Sequence, residues 1–251
     1  MKVARVCNYV AVLTFVIAAV LYLSGNNTTL IGDVTFIVVS AMAAIGVFEA
    51  SRFVRLRDER KVWTYLSVGV FLFFIAEVVW GYYELILGIE TPSAAMPDVF
   101  WLAGNVFLVA ALYFKMQNMF MPAKSKHVLI ATILGGGLLL LLMYNFVQTV
   151  ASDGLTLGTA IDFVYPIFSV IQAVLSLFIL LPLLKLPSKL SLPWIAITTG
   201  FMSFVVYDSV YAITNFLGVY STGDYIDLFY ILAYVLLAMG GYFKLGYTLN
   251  E

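Results

Sequence analysis

Six segments of the chain carry an acidic residue, an aromatic residue three positions later, and a polar residue or tyrosine seven positions later. These acid–aromatic sets are Asp33, Phe36 and Ser40; Glu77, Trp80 and Glu84; Asp98, Trp101 and Asn105; Asp162, Tyr165 and Ser169; Asp208, Tyr211 and Asn215; and Asp227, Tyr230 and Tyr234. Spacings of three and seven place the members of a set on one helical face. Carboxylates and aromatic faces attract cations by charge and by cation–π contact, although single Trp and Tyr residues are more typical of membrane-interface belts.

Two of these acids, Glu77 and Asp208, lie about ten residues inside long apolar segments. A carboxylate near the middle of a bilayer costs about 2.5–3.5 kcal/mol on insertion scales, and such residues usually face a cavity, bind an ion or relay protons. No Lys or Arg is predicted in the same half of the membrane to pair with either acid. A functional role is therefore favoured over the alternative, a protonated pair hydrogen-bonded between helices.

Four other acids, Asp33, Asp98, Asp162 and Asp227, lie near the predicted starts of their helices. A carboxylate at a helix start accepts hydrogen bonds from free backbone N–H groups and meets the positive end of the helix dipole. For these four, helix capping is the favoured interpretation. A different acid, Glu49, precedes Arg52 by three residues and is predicted to form a surface ion pair with it.

The elements that carry these sets are apolar segments long enough to span a membrane. Of 251 residues, 63% are hydrophobic and 11% are charged, which is too little polar surface for a soluble globule. A bilayer core of about 30 Å needs roughly 20 apolar residues per helix. Eight such segments lie at about residues 6–24, 32–51, 62–88, 98–119, 127–149, 160–184, 191–217 and 226–246. The sequence therefore predicts an all-α integral membrane protein with eight transmembrane helices in a lipid bilayer.

The basic residues predict the orientation of these helices. With eight spans, all 13 Lys and Arg residues fall on one side of the membrane. The loops on the other side carry acidic residues and no basic residue. The positive-inside rule then predicts a multi-pass protein of the cell membrane with both termini in the cytoplasm. The formal net charge is −1 and no basic binding patch is present, so nucleic acid is not an expected partner.

The chain also repeats itself. The segment DVFWLAGNVFLVAALYFK at 98–115 aligns with DLFYILAYVLLAMGGYFK at 227–244, a spacing of 129 residues, and Glu77 aligns with Asp208 at a spacing of 131. We therefore predict a single membrane domain over 1–251, built as two parallel four-helix repeats, 1–124 and 125–251. Even numbers of spans give both repeats the same orientation, which predicts a pseudo-twofold axis along the membrane normal.

Several chemistries are not expected. The only histidine, His127, lies at the cytoplasmic edge, which argues against a histidine-based haem or zinc site. Retinal would need a lysine in the middle of a helix, whereas Lys115 and Lys244 lie at helix ends. Nothing marks a nucleophile or a reacting substrate. The sequence therefore predicts no enzyme, no resident cofactor and no metal.

Two stretches resemble a known group of sensors. TPSAAMPDVFWLAG, residues 91–104, resembles the outer loop and helix start of the multi-helix membrane regions that precede bacterial cyclic-dinucleotide signalling domains. GDYIDLFYILAYVLLAMG, residues 223–240, is similar to the matching element near the end of those regions. The resemblance covers helices 3–4 and 7–8, and it implies a sensory module with an outward-facing pocket. Because the chain reaches Glu251 soon after the last span, signalling is expected to need a separate cytoplasmic or membrane partner.

Two functions remain open at this point. The first is a receptor with an outward-facing acidic and aromatic pocket for a cation or small cationic ligand. The second is a small secondary transporter, or an ion- or proton-coupled carrier, that uses Glu77 and Asp208. Polar residues are nearly absent from the cytoplasmic halves of the helices, which favours the receptor. The predicted ligand-binding residues are Glu77, Trp80, Glu84, Asp98, Trp101, Asp208, Tyr211 and Asp227.

Overall fold

The computed structural model describes residues 2–25, 28–89, 94–119, 125–185 and 188–248. Its long helices are α1 (Lys2–Leu23), α2 (Thr29–Phe53), α3 (Arg57–Gly81), α4 (Met96–Gln117), α5 (Ser125–Asp153), α6 (Leu157–Leu183), α7 (Leu192–Phe216) and α8 (Asp227–Thr248). A π-helical turn, Tyr82–Leu87, extends α3, and a short 3₁₀ turn precedes α7. All eight helices are long and apolar enough to cross a membrane, which confirms the predicted all-α architecture. Residues 91–93 of the sensor-like stretch and Lys124 at the repeat boundary lie outside the described residues.

The two ends of the helix bundle differ in charge. The basic end comprises the start of α1, the α2–α3, α4–α5 and α6–α7 connections and the end of α8, and the acidic end comprises the other four connections. In the described part of the chain, every Lys, Arg and His lies at or near the basic end. Arg52 contacts Glu49 at 3.0 Å there, which confirms that predicted ion pair, and Lys244 contacts Glu59 at 2.9 Å. Which end faces the cytoplasm stays a prediction.

Each predicted repeat contains a closely packed helix pair at the corresponding position, α3 with α4 in the first repeat and α7 with α8 in the second. A methyl group on Gly69 of α3 would lie 3.0 Å from the Gly104 carbonyl oxygen of α4. The aligned positions in α7 and α8 behave alike, because a methyl on Gly200 would lie 3.0 Å from the Ala233 carbonyl oxygen. The absence of a side chain at these glycines lets the helix backbones approach closely.

Helices α3 and α7 meet through aromatic side chains, along an interface that we call the seam. The rings of Trp63 and Trp194 lie 5.5 Å apart, and those of Phe73 and Phe204 lie 5.9 Å apart, measured between centroids. Both pairs are separated by 131 residues, the spacing that relates Glu77 to Asp208. When a twofold axis relates two repeats, a residue of one repeat can contact its aligned residue of the other repeat only close to that axis. The two contacts therefore agree with the predicted pseudo-twofold axis. The symmetry itself stays a prediction.

Helix α1 departs from the repeat pattern. It packs mainly on α8, whereas the aligned helix α5 packs mainly on α6. The α2–α8 contact is also tight, because a methyl on Gly241 would lie 2.5 Å from the Gly46 carbonyl oxygen. The aligned positions in α4 and α6 are Leu112 and Leu175. The two sides of the seam are therefore packed differently.

Candidate functional site

The seam changes its chemistry halfway along its length. In the half near the basic end, Leu66, Val70, Ile197 and Phe201 are almost completely buried. The same helical faces continue toward the acidic end, because residues spaced by three and four share one face of a helix. The residues reached there are Glu77, Trp80 and Glu84 on one side and Asp208, Tyr211 and Asn215 on the other.

Glu77 receives hydrogen bonds from both predicted repeats. Its Oε1 atom accepts from Trp101 Nε1 of α4 at 3.2 Å, and from the hydroxyls of Tyr230 and Tyr234 of α8 at 2.6 Å each. The side chain is 3% exposed and lies about 15 Å before the end of the π-helical turn. The indole of Trp80 packs on that of Trp101 with a centroid separation of 5.5 Å. Three converging donors favour the ionised carboxylate, whereas the burial of the side chain opposes ionisation.

Asp208 has a different environment from Glu77. Its Oδ2 atom accepts a hydrogen bond from the Ser169 hydroxyl at 2.6 Å. It is partly buried and lies close enough to Tyr234 to interact electrostatically. Since Tyr234 also donates to Glu77, this tyrosine lies between the two acids of the seam.

Asp98 caps its helix, as predicted. Its Oδ2 atom accepts the Ala95 backbone N–H at 2.8 Å, at the start of α4. Its Oδ1 atom accepts the Tyr165 hydroxyl of α6 at 2.7 Å. This acid therefore has both a capping role and a contact with the other predicted repeat.

Asp227 anchors the loop before α8. Its side chain is fully buried, its Oδ2 atom accepts the Gly223 N–H at 2.8 Å, and its Oδ1 atom accepts the Tyr220 hydroxyl at 3.2 Å. Burial, together with the nearby Asp227 charge, raises the pKa of Tyr220 well above its usual range. Tyr220 is therefore a neutral phenol at physiological pH and serves as a hydrogen-bond donor.

A tyrosine layer, formed by Tyr207, Tyr211, Tyr220 and Tyr230, lies between Asp227 and Glu77. The hydroxyls of Tyr207 and Tyr220 are 3.2 Å apart. The ring of Tyr211 lies 4.7 Å from Tyr220, and the ring of Tyr207 lies 4.5 Å from Tyr230, between centroids. The layer provides aromatic faces and hydroxyl groups between carboxylates, which is a suitable surface for a cation.

The capping prediction for Asp33 is wrong. Helix α2 begins four residues earlier, where the Thr28 hydroxyl accepts the Ile31 N–H at 3.3 Å. Asp33 is 1% exposed, and neither of its carboxylate oxygens has a hydrogen-bond partner among the described residues. Its Cβ lies near Gly81, where an added methyl would be 3.7 Å away. The capping prediction for Asp162, aligned with Asp33, is also wrong, because α6 begins at Leu157 and Thr156 caps it.

Glu84 projects from the π-helical turn toward the loop before α8. Its Oε1 atom accepts the Thr222 hydroxyl at 3.2 Å. Asp33 interacts electrostatically with Glu84, Glu77 and Asp227. The π-helical turn at the end of α3 therefore carries an acid into an acidic group.

The eight predicted residues all lie in the half of the bundle near the acidic end, but they form several hydrogen-bonded groups. Glu77, Trp80 and Trp101 are together, and the remaining five lie beside Thr222, Tyr165, Ser169 or the tyrosine layer. A common cavity open to one side stays a prediction. No group of three or more His, Cys, Asp or Glu residues is placed to hold a metal ion within the described ranges.

Sequence reasoning missed several residues of this region. Tyr207 continues the seam face between Phe204 and Tyr211, so an extended helical-face pattern would have found it. Tyr22, Tyr220 and Thr222 are brought in by the packing of α1 and by the α7–α8 loop. No spacing in the sequence identifies such residues.

In comparisons with family models, curated proteins and solved structures, no match to the chain was found. The fold and its composition fit a multi-pass membrane protein with eight helices.

Proposed function

We propose that this chain is a multi-pass membrane receptor or sensor module whose acidic end binds a small cationic ligand. The observation that carries the proposal is an excess of negative charge without basic counter-charges. Asp33 interacts electrostatically with Glu77, Glu84 and Asp227, and Asp227 also interacts with Glu77. Among the described residues, no Lys, Arg or His lies in that half of the bundle.

The physical argument follows from the low dielectric of the surroundings. Buried like charges disfavour one another's ionised forms, so a cation or protons must supply the balancing charge. The tyrosine layer and the Trp80–Trp101 pair offer electron-rich faces beside the acids. An organic ammonium ion can use both the carboxylate charge and cation–π contact, and such a ligand therefore suits this site.

The packing near the basic end supports a receptor rather than a carrier. Trp63 and Phe73 of α3 pack on the aligned Trp194 and Phe204 of α7, and Leu66 and Val70, between them on α3, are almost completely buried. A carrier has to open on both sides of its site, and this apolar packing gives no polar route toward the basic end.

The proposal places this module in the cell membrane, with both termini in the cytoplasm and two parallel repeats around the seam. Its support is the distribution of basic residues and the contacts between aligned residues of α3 and α7. A signal would pass to a cytoplasmic or membrane partner protein; the resemblance to bacterial sensory membrane regions supports the sensory role.

The test measures thermal stability of the purified protein in detergent with tetramethylammonium as the probe. We expect a saturable rise in melting temperature and none with neopentyl alcohol, a neutral molecule of similar shape. Combining Glu77→Gln with Asp208→Asn should abolish the response while the circular dichroism spectrum stays unchanged. Glu49→Gln, at the basic end, is the matched control and should keep the response. Equal responses in all three proteins would contradict the proposal.

A second function, a secondary transporter or ion- or proton-coupled carrier, is favoured by one observation. Glu77 accepts donors from both predicted repeats, and coupling sites of carriers lie at repeat interfaces. Proteoliposomes distinguish the two functions. A carrier would accumulate tetramethylammonium or move protons, and the Glu77→Gln substitution would stop that flux, whereas a receptor would bind the probe without flux.

A further inference from the structure

A second site is indicated around Asp33, on the side of the seam where α1, α2, the π-helical turn and the α7–α8 loop meet. Asp33 is 1% exposed and both of its carboxylate oxygens lack a hydrogen-bond partner among the described residues. A buried carboxylate without donors is costly. The contrast with Glu77, which has three donors to one oxygen, makes Asp33 the acid that most needs an additional partner.

The polar groups around Asp33 offer oxygen atoms but few hydrogen-bond donors. The neighbouring side chain is Glu84, and two carboxyls can share a hydrogen bond only when a proton lies between them. The Tyr22 hydroxyl is also completely buried without a hydrogen-bond partner in the described structure. It interacts electrostatically with Asp33 and Asp227.

Gly32 brings these groups together. A methyl group at Gly32 would lie 2.9 Å from Thr222 Cγ2, 3.3 Å from the Gly223 backbone nitrogen and 3.4 Å from the Tyr22 hydroxyl. The end of α1 and the α7–α8 loop therefore meet beside the residue that precedes Asp33. The Thr222 hydroxyl, which contacts Glu84, adds another oxygen to the same region.

We propose that Asp33, Tyr22, Glu84 and Thr222 bind a sodium ion. Carboxylate and hydroxyl oxygens without nitrogen or sulfur ligands select hard cations. Calcium sites usually use several carboxylates, and no group of three acids is placed for a metal in the described ranges, so a monovalent ion fits better. This site shares Glu84 with the residues predicted to bind the ammonium ion, but it is centred on Asp33 and Tyr22, and its test does not depend on the proposed function.

The ion would join parts of the chain that are distant in sequence. Tyr22 ends α1, Asp33 begins the second turn of α2, Glu84 lies in the π-helical turn and Thr222 lies in the α7–α8 loop. Bound sodium would therefore stabilise the acidic end as a unit. Its effect should be visible in global stability.

The experiment compares melting temperatures in sodium chloride and in tetrabutylammonium chloride at equal ionic strength, since tetrabutylammonium is too large for a buried site. At about 100 times the dissociation constant, sodium should raise the melting temperature of the unsubstituted protein by about 5–10 °C. Asp33→Asn should remove this response and should raise the melting temperature in the absence of sodium, because an uncompensated buried charge is gone. Tyr22→Phe should weaken the response without removing it.

The controls separate the alternatives. Glu49→Gln, on the same helix but at the basic end, should keep the sodium response. The Glu77→Gln and Asp208→Asn pair should also keep it, so failure of this inference is distinguishable from failure of the proposed function. The inference is overturned if sodium has no specific effect on the unsubstituted protein or if Asp33→Asn responds equally.

Discussion

Removing one hydroxyl from the Glu77 site should destabilise the protein by a measurable amount. Tyr234 donates to Glu77 Oε1 at 2.6 Å, and both residues are buried. A hydrogen bond to a charged group contributes about 1.5–3 kcal/mol. For chains of this size, 1 kcal/mol corresponds to about 2–4 °C in melting temperature, so Tyr234→Phe should lower the melting temperature by about 3–12 °C.

The assay is thermal unfolding in detergent, followed by circular dichroism. Tyr144→Phe is the matched control, because Tyr144 is 63% exposed on α5 and its hydroxyl should contribute less than about 0.5 kcal/mol. Tyr230→Phe removes the second 2.6 Å donor and should cost a similar amount. The two substitutions together should not be additive, because the tyrosines share one acceptor.

A double-mutant cycle tests the physical reason. In a Glu77→Gln background the acceptor is neutral, and a neutral hydrogen bond contributes about 0.5–1.5 kcal/mol, so the cost of Tyr234→Phe should fall by about half. A loss no larger than that of Tyr144→Phe would refute the reasoning. An equal loss in both backgrounds would show that packing, rather than the charge of Glu77, determines the effect.

Three further predictions concern the fold. Gly241→Ala should disrupt the α2–α8 contact and lower stability strongly, because its methyl would clash with the Gly46 backbone. Gly136→Ala should be neutral or stabilising, because nothing lies within 4 Å of its added methyl. Thermal unfolding of both variants compares them directly. In a cysteine-free background, Leu56→Cys and Leu155→Cys, both highly exposed, should be labelled from opposite sides of a membrane, and labelling from one side would contradict eight spans. In an experimental structure, α2–α4 should superpose on α6–α8 by a rotation about an axis along the helices, and an axis in the membrane plane would contradict the duplication.

The sequence was sufficient for the elements and for much of the polar network. Apolar length determines the spans, and helical periodicity places the six acid–aromatic sets on defined faces. Several non-acidic members of these sets donate to acids of other sets, as Trp101, Tyr230 and Tyr234 do to Glu77 and Ser169 does to Asp208. Periodicity predicts which face of a helix carries such a side chain, although it does not predict the acid to which that side chain donates.

The environment of Asp33 could not be predicted, because it depends on parts of the chain that have no local pattern. Helix α1 carries exposed apolar residues on much of its surface, and its sequence does not indicate that it packs on α8. The π-helical turn at Tyr82–Leu87 is also not marked by composition. The position of Asp33 close to the predicted start of its helix therefore indicated capping. Tertiary packing instead places Asp33 among oxygen atoms of other side chains.

Binding of an organic cation at the acidic half of the seam is tested most directly by isothermal titration calorimetry of tetramethylammonium into the protein in lipid nanodiscs. We expect saturable binding that Glu77→Gln with Asp208→Asn abolishes and Asp33→Asn leaves in place. Absence of saturable binding, or binding that persists unchanged in the Glu77→Gln and Asp208→Asn protein, would contradict this expectation.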